Sequence, residues 1–422
     1  MQKIQIGFLG FGNIGNGVYK ILQKHRNEIA DKEDYQINIK KILVRDINKK
    51  RPVETDRSIL TNNPDDILND PEISIVAEFM GGENPALSYL LKALNNGKSV
   101  VTANKEVIAR HWEKLDQAAS ASGAGLYYEA SVCGGIPVIK AIQESLQANR
   151  IERIMGIING TTNYILTKMS ENNENFSDAL KKAQELGYAE PDPTADVEGF
   201  DAAFKLSILS TLCFHKRVHL ERILREGITN ITLEDISYGK ELGYALKLLA
   251  IAKDNEGKVE VRVHPTFIPQ NHPLSSVRSS FNAVYLKGDC VGDMMFYGRG
   301  AGDLPTGSAI VSDILTACKK EHRYMKFGEK TINAVYNDDW QTKYYIRLTV
   351  KDQPGVLGEI AGYFGKHGVS IASVIQKGYG NTTAPLIFVT HEASEKSIQQ
   401  AIAEIRKNPC VISVDNLIRV EE

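Results

Sequence analysis

The amino-terminal run IQIGFLGFGNIGNGVYKIL constrains this chain more than any other segment. An apolar strand enters a turn with the spacing GxGxxG, at Gly10, Gly12 and Gly15, and leaves it as a helix. Gly10 permits the tight turn, Gly12 lets backbone approach a pyrophosphate, and Gly15 lets helix and strand pack closely. The phosphates then sit at the helix N-terminus, against Asn13 and Ile14. The motif alone is weak, but a strand before it and a helix after it make a dinucleotide site the expected reading. The next apolar run, INIKKILV, ends in Arg45 and Asp46 with Lys49, Lys50 and Arg51 behind. An acid at that strand end holds the ribose hydroxyl of NAD, whereas an arginine accommodates the 2′-phosphate of NADP. Arg45 tilts the expectation to NADP(H), and Asp46 keeps NAD(H) open.

The alternation continues with ISIVAEFM, a helix closed by Gly97, then SVVTAN and GLYYEA, which predicts a doubly wound parallel sheet. Ligands bind at the carboxyl ends of such strands. That edge holds Gly81, Gly82, Asn104, Lys105 and Glu129. Lys105, directly after a strand, is placed to meet a nicotinamide or a substrate carboxylate, although it could equally begin a solvated helix.

A second dense feature is GYAEPDPTADVEGFDAAFK, from Gly187 to Lys205, which sets Glu190, Asp192, Asp196, Glu198 and Asp201 around a proline-broken loop. If FDAAFKLSIL is helical, Asp201 and Lys205 lie four apart on one face. A surface ion pair is the ordinary reading of such spacing. Here Phe200, Ala202, Ala203, Phe204, Leu206 and Ile208 leave little polar surface, so the pair is expected to be partly buried. Buried charges must be paired, and such pairs cluster at functional sites.

Composition excludes several classes. The 422 residues are 42% hydrophobic and 24% charged, with 50 basic against 52 acidic residues and a net charge of -2. No basic field invites nucleic acid or an anionic membrane. No apolar run approaches the roughly 18 residues that span a bilayer, and the cytoplasm is the expected compartment. The five cysteines are scattered without a CxxC spacing, which predicts reduced thiols. His215 and His219 lack a third ligand, so zinc is not expected there.

Three parts follow from the pattern: residues 1–132 as the dinucleotide domain, 133–328 as an α+β substrate domain, and 344–422 as a strand-helix-strand-strand-helix-strand unit of ferredoxin-like order. The polar stretch 329–343 is the expected linker. GRGAGDLPTG, from Gly298 to Gly307, is a second place where backbone can approach a ligand.

These residues resemble the homoserine dehydrogenase family over the whole chain. The family signature, Ala-x-x-x-Gly, an acidic loop, then Asp-x-x-Gly-x-Asp-x-x-x-Lys, is matched by Ala183, Gly187, Asp196, Gly199, Asp201 and Lys205. The glycine turn, the TANK segment, EASVCGGIP and GRGAGDLPTG follow in the family's order, and the last segment is similar to an ACT domain. No aspartate kinase module is present, as in monofunctional members.

The resemblance implies reversible reduction of aspartate 4-semialdehyde to homoserine in threonine and methionine biosynthesis. It assigns proton donation to Lys205, held by Asp201, and gives Lys105 contact with substrate and nicotinamide and a share in proton transfer. A lysine that donates near neutrality needs its reference pKa of about 10.4 lowered. Glu190 is implied for the substrate's amino group with Asp196 beside it, and Gly187 and Gly302 for the cofactor. A structural sodium ion is implied on Glu129, Val132, Gly134 and Ile136, a hard oxygen set. An ACT domain implies a homodimer or homotetramer with threonine as effector, so a chain ending near Lys343 is expected to keep catalysis and lose that sensitivity. Two other readings stand beside this one: a non-catalytic sensor of NADP and an amino acid, and a 3-phosphoglycerate-type hydroxyacid dehydrogenase, whose His, Glu and Arg arrangement and mid-chain cofactor domain differ from this order.

Overall fold

A computed structural model of the chain describes residues 2–320, 332–377 and 382–422. These form two compact units, one of Met1–Ile154, Asp201–Ile223 and Phe281–Ala334, the other of Met155–Phe200, Leu224–Ser280 and Val335–Glu422.

In the first unit, β1 (Gln2–Leu9) runs into α1 (Asn13–Lys24), followed by β2 (Tyr35–Leu43), β3 (Leu60–Thr61), β4 (Ile73–Glu78), α2 (Ala86–Asn95), β5 (Ser99–Thr102), α3 (Lys105–Ser122) and β6 (Leu126–Tyr127). The six strands are parallel in the order β3-β2-β1-β4-β5-β6. Both faces of such a sheet are covered, so the second half of β1, Ile6–Leu9, and β4 up to Ala77 are mostly apolar and buried. Ile6, Phe8 and Ile75 bury against Val18 and Leu22 of α1. Gly10 has φ +104, a left-handed region that a side chain would resist.

Two longer helices also belong to this unit: α4 (Phe200–Phe214), from Asp201 onward, and α5 (Asp303–Cys318). Helix α4 is buried nearly all round, so it lies inside the unit rather than on its surface. Helix α5 begins against α1 at backbone contact. A Cβ on Gly17 would stand 2.1 Å from the Asp303 carbonyl oxygen, and Lys20 closes the contact with an ion pair to Asp303 at 3.3 Å. The hairpin Phe281–Gly288 and Gly292–Arg299 also belongs here.

The second unit is built on β7 (Tyr244–Asn255) and β8 (Lys258–Pro269), an antiparallel pair in unbroken register. Its carboxyl-terminal part is β9 (Gln341–Lys351), α6 (Val356–Lys366), β10 (Ile371–Gln376), β11 (Thr383–Thr390), α7 (Glu395–Ile405) and β12 (Val411–Val420). Both helices cover one face, where Ile360, Phe364, Ile398 and Ile402 meet Leu348 and Phe388. The last strand does two jobs. It pairs antiparallel with β9 along its length, and at its end it pairs parallel with β8, Thr266 facing Arg419 and Phe267 facing Val420.

Along that junction runs a seam of buried charges. Arg419 binds Glu395 through Nη2 and Nε at 2.6 and 2.9 Å, and Glu226 through Nη1 at 2.8 Å. Arg262 binds Glu260 at 2.9 Å and also Glu421, whose second oxygen takes Lys253 at 2.7 Å. Arg347 binds Asp235 and Glu234 at 2.7 and 2.9 Å. The seam bears on the expectation about a chain ending near Lys343. Such a cut removes Glu421 and Arg347, so Lys253 and Asp235 lose their ion-pair partners while Arg262 keeps only Glu260. Of the stretch expected as a linker, residues 329–331 lie outside the described ones. Ile332–Asn333 pair with Lys216–Arg217, and Val335–Tyr336 pair with β8.

Candidate active site

Asp201 opens α4 and Lys205 follows one turn later, and the helix's apolar surroundings leave them 5% and 8% exposed. Lys205 Nζ lies 2.6 Å from Asp201 Oδ2, and Lys105 Nζ lies 2.7 Å from Asp201 Oδ1. One carboxylate thus bridges two ammonium groups. Burial pushes the Asp201 carboxyl up, but the charges and hydrogen bonds of Lys205 and Lys105 outweigh it and hold it well below the usual carboxylate range. Lys105 is the first residue of α3, capped by Asn104, whose Oδ1 accepts from Val107 N at 3.1 Å. Its side chain is 43% exposed, so the group is reachable from solvent.

Cys133 stands near this pair, within electrostatic reach of Lys205 and Asp201, and burial pushes its thiol up to about 11. Its turn is locked to the glycine-rich return. A Cβ on Gly134 would stand 2.6 Å from the Gly300 carbonyl oxygen, and Gly135 N donates to Arg299 O at 3.1 Å. Gly302 begins α5 at φ +124, which only glycine adopts without strain.

Glu129 is buried, and its two oxygens accept from Ile139 N at 2.8 Å and Lys140 N at 2.7 Å. Val132, Gly134 and Ile136 follow it in the turn, Gly134 at φ +41. Asp313 of α5 accepts from Glu129 N at 2.9 Å, and burial together with Glu129 pushes its carboxyl up to about 7. Among the described residues no group of three or more His, Cys, Asp and Glu side chains is arranged to hold a metal.

At the dinucleotide turn, Asn13, Asn16, Lys20, Pro52 and Asp303 line a cavity of about 310 Å³. Ile14 is partly buried beside them. Arg45 is exposed two residues beyond β2. Arg51 folds back, donating to Asp46 O at 2.6 Å with its guanidinium 5.9 Å from the Phe11 ring centre.

Gly187, Glu190 and Asp196 belong to the second unit. Gly187 ends the turn after the helix Phe176–Glu185 at φ +73. Glu190 is exposed, its carbonyl accepting from Gln184 Nε2 at 3.2 Å. Asp196 Oδ1 accepts from Asn159 Nδ2 at 2.6 Å, and Asn159 also caps the helix Gly160–Asn172. Sequence reading passed over Asn159, Glu78, Thr102 and Asp313. A single acid inside an otherwise apolar run, as in ISIVAE and SAIVSDIL, was the available clue to two of them.

Family models match three successive parts of the chain. The model for the homoserine dehydrogenase NAD binding domain matches residues 10–129, that for homoserine dehydrogenase matches 137–315, and that for the ACT domain matches 344–410. A homoserine dehydrogenase of Bacillus subtilis is 41% identical over 430 residues, covering 100% of this chain and 99% of its own. Among solved structures, a homoserine dehydrogenase from Thiobacillus denitrificans has a TM-score of 0.93 at 40% identity, covering 100% of this chain and 99% of that one. A hyperthermophilic archaeal homoserine dehydrogenase in complex with NADPH has a TM-score of 0.64 at 26% identity, covering 76% of this chain and 100% of that one. These full-length matches support neither the sensor nor the hydroxyacid dehydrogenase reading.

Proposed function

The chain belongs to the homoserine dehydrogenase family, an oxidoreductase acting between aspartate 4-semialdehyde and homoserine, and from that premise we propose that Lys205 is its proton donor. The observation that carries this reading is the buried Lys205 ammonium 2.6 Å from Asp201. A bound dihydronicotinamide supplies the hydride. As the aldehyde carbon receives it, the carbonyl oxygen takes negative charge, and a nearby ammonium both stabilises that charge and gives up a proton. Asp201 keeps Lys205 in place and stays ionised while doing so. Lys105, on the other oxygen of Asp201, adds positive charge and contacts substrate and nicotinamide. Glu190 and Asp196 are the acids assigned to the substrate's amino end.

Lys205→Ala is expected to lower turnover at least about a hundredfold, the scale of a lost acid catalyst, while cofactor binding survives. Near-normal turnover in the folded variant removes Lys205 from this role.

For the cofactor, the glycine turn with Asn13 and Ile14 and the exposed Arg45 support NADP(H) over NAD(H), with Gly187 and Gly302 facing it. Asp46 spends an oxygen on its own turn, accepting from Asn48 N at 2.7 Å. The NADPH held by the archaeal relative accords with this preference.

The donor set around Glu129 fits a hard cation: a carboxylate and the carbonyls of Val132, Gly134 and Ile136, with a second buried acid, Asp313, accepting from Glu129 N beside it. A sodium ion there would neutralise buried charge and take no part in the reaction. The ACT domain supports amino-acid sensing, and we assign threonine as its effector and a homodimer or homotetramer as the assembly. Turnover of the full chain against threonine concentration, with its mass in solution, tests both.

A further inference from the structure

Glu78 closes β4, a strand that is otherwise apolar except for Ser74, and is 0% exposed. A buried carboxylate must be fully hydrogen-bonded to be tolerated, and every partner of this one belongs to the edge where ligands bind. Oε1 accepts from Met80 N at 2.6 Å and Gly81 N at 3.2 Å, which folds the loop after β4 back onto the strand end. Gly81 and Gly82 make that fold at φ +72 and +68. Oε2 accepts from the Thr102 hydroxyl at 2.6 Å, which reaches across to the end of β5. The same hydroxyl accepts from Asn104 N at 2.9 Å, and Asn104 Nδ2 donates to Gly82 O at 2.8 Å. The result is a closed ring, from Glu78 through the glycine pair to Asn104 and back through Thr102.

The ring touches the reaction machinery on both sides. Phe79, next to Glu78, lies against the dinucleotide turn: a Cβ on Gly15 would stand 3.1 Å from its ring, and one on Gly10 3.3 Å from its carbonyl. On the far side Asn104 caps α3, whose first residue is Lys105. A structural acid would serve as well facing the core, away from both elements. We infer that Glu78 is a positioning residue of the active site, acting through Thr102 and Asn104 to set Lys105 relative to the cofactor turn. This inference rests on the assignment of Lys105 to the reaction.

The test is a double-mutant cycle on turnover in the full chain, with Thr102→Val, Lys105→Ala and the combination. Thr102→Val is nearly isosteric and removes only the hydroxyl that links Glu78 to Asn104. It is expected to lower kcat about tenfold, the scale of a lost hydrogen bond to a charged group, with KM for the cofactor within about threefold. In the Lys105→Ala background the same change is expected to have no further effect, because its effect passes through Lys105. Glu78→Gln keeps the shape and all but one of the hydrogen bonds, and is expected to stay within about threefold of the parent. Wild-type kcat in Thr102→Val, or full additivity of the two losses, overturns the inference while leaving Lys105 its role. Wild-type turnover in Lys105→Ala alone overturns the assignment of Lys105 instead.

Discussion

Buried ion pairs occur in both units of this protein, made with different cations. On α4 the partner of Asp201 is lysine, twice over, and one of the two, Lys105, is open to solvent. In the seam beneath the carboxyl-terminal strand the main cations are arginines, of which Arg262 and Arg419 are 0% and 1% exposed, each held by two carboxylates. Lysine is a point charge that can release a proton when its surroundings require it. Arginine keeps its charge and offers a fixed fork suited to two carboxylates at once. On the role proposed for Lys205, the same elementary interaction serves chemistry where the cation is lysine and cohesion where it is a sealed arginine.

The hardest blow to that contrast is a chain ending at Lys343. A buried charge that loses its partner costs about 3–5 kcal/mol, and the cut leaves Lys253 and Asp235 without theirs, against a domain stability of about 5–15 kcal/mol. The transition of the second unit is expected to fall well below the parent's in calorimetry. A truncated chain that melts as high as the parent would mean the seam contributes little.

A smaller effect is expected from Arg45, an arginine outside the seam and exposed, free to meet a phosphate. Arg45→Ala should weaken NADPH about tenfold more than NADH in steady-state comparison. Equal losses would remove it from cofactor selection.

A last effect, read against pH, concerns Lys247, a lysine buried without a carboxylate bonded to it. It donates to Val277 O at 2.5 Å and Asn163 Oδ1 at 3.3 Å, and burial lowers it to about 8 from an ordinary 10.5. Between those values the unfolded chain binds the extra proton, so stability should rise with pH from about 8 towards 10.5 and carry a penalty below 8. Lys247→Met should flatten that slope in urea titrations across the window. An unchanged slope would mean the lysine reaches water.

Much of this was legible in the sequence, for physical reasons that differ by region. The glycine turn could be read because each glycine answers a local backbone demand, and Asp201 and Lys205 because helical spacing fixes their meeting. The ferredoxin-like order could be read from strand and helix periodicity. Periodicity says nothing about register between distant segments, so the pairing of Phe267 with Val420, and the seam it encloses, could not be read. Glu78 was hidden for a related reason: its donors are backbone groups and a threonine from another strand, none of which marks the sequence. Gly17, whose role is to let α5 approach α1, looked like one more small residue in a helix.

The contrast between the two kinds of pair is tested most directly by measuring kcat and melting temperature together on Lys205→Ala and Arg419→Ala, with kcat taken well below both transitions. Lys205→Ala leaves Asp201 its partner Lys105, so turnover should fall at least about a hundredfold with melting little changed. Arg419→Ala leaves Glu395 buried without its cation, so stability should fall by about 3–5 kcal/mol with turnover of the folded protein within about threefold. A Lys205→Ala enzyme that turns over normally, or an Arg419→Ala protein as stable as the parent, would contradict the account.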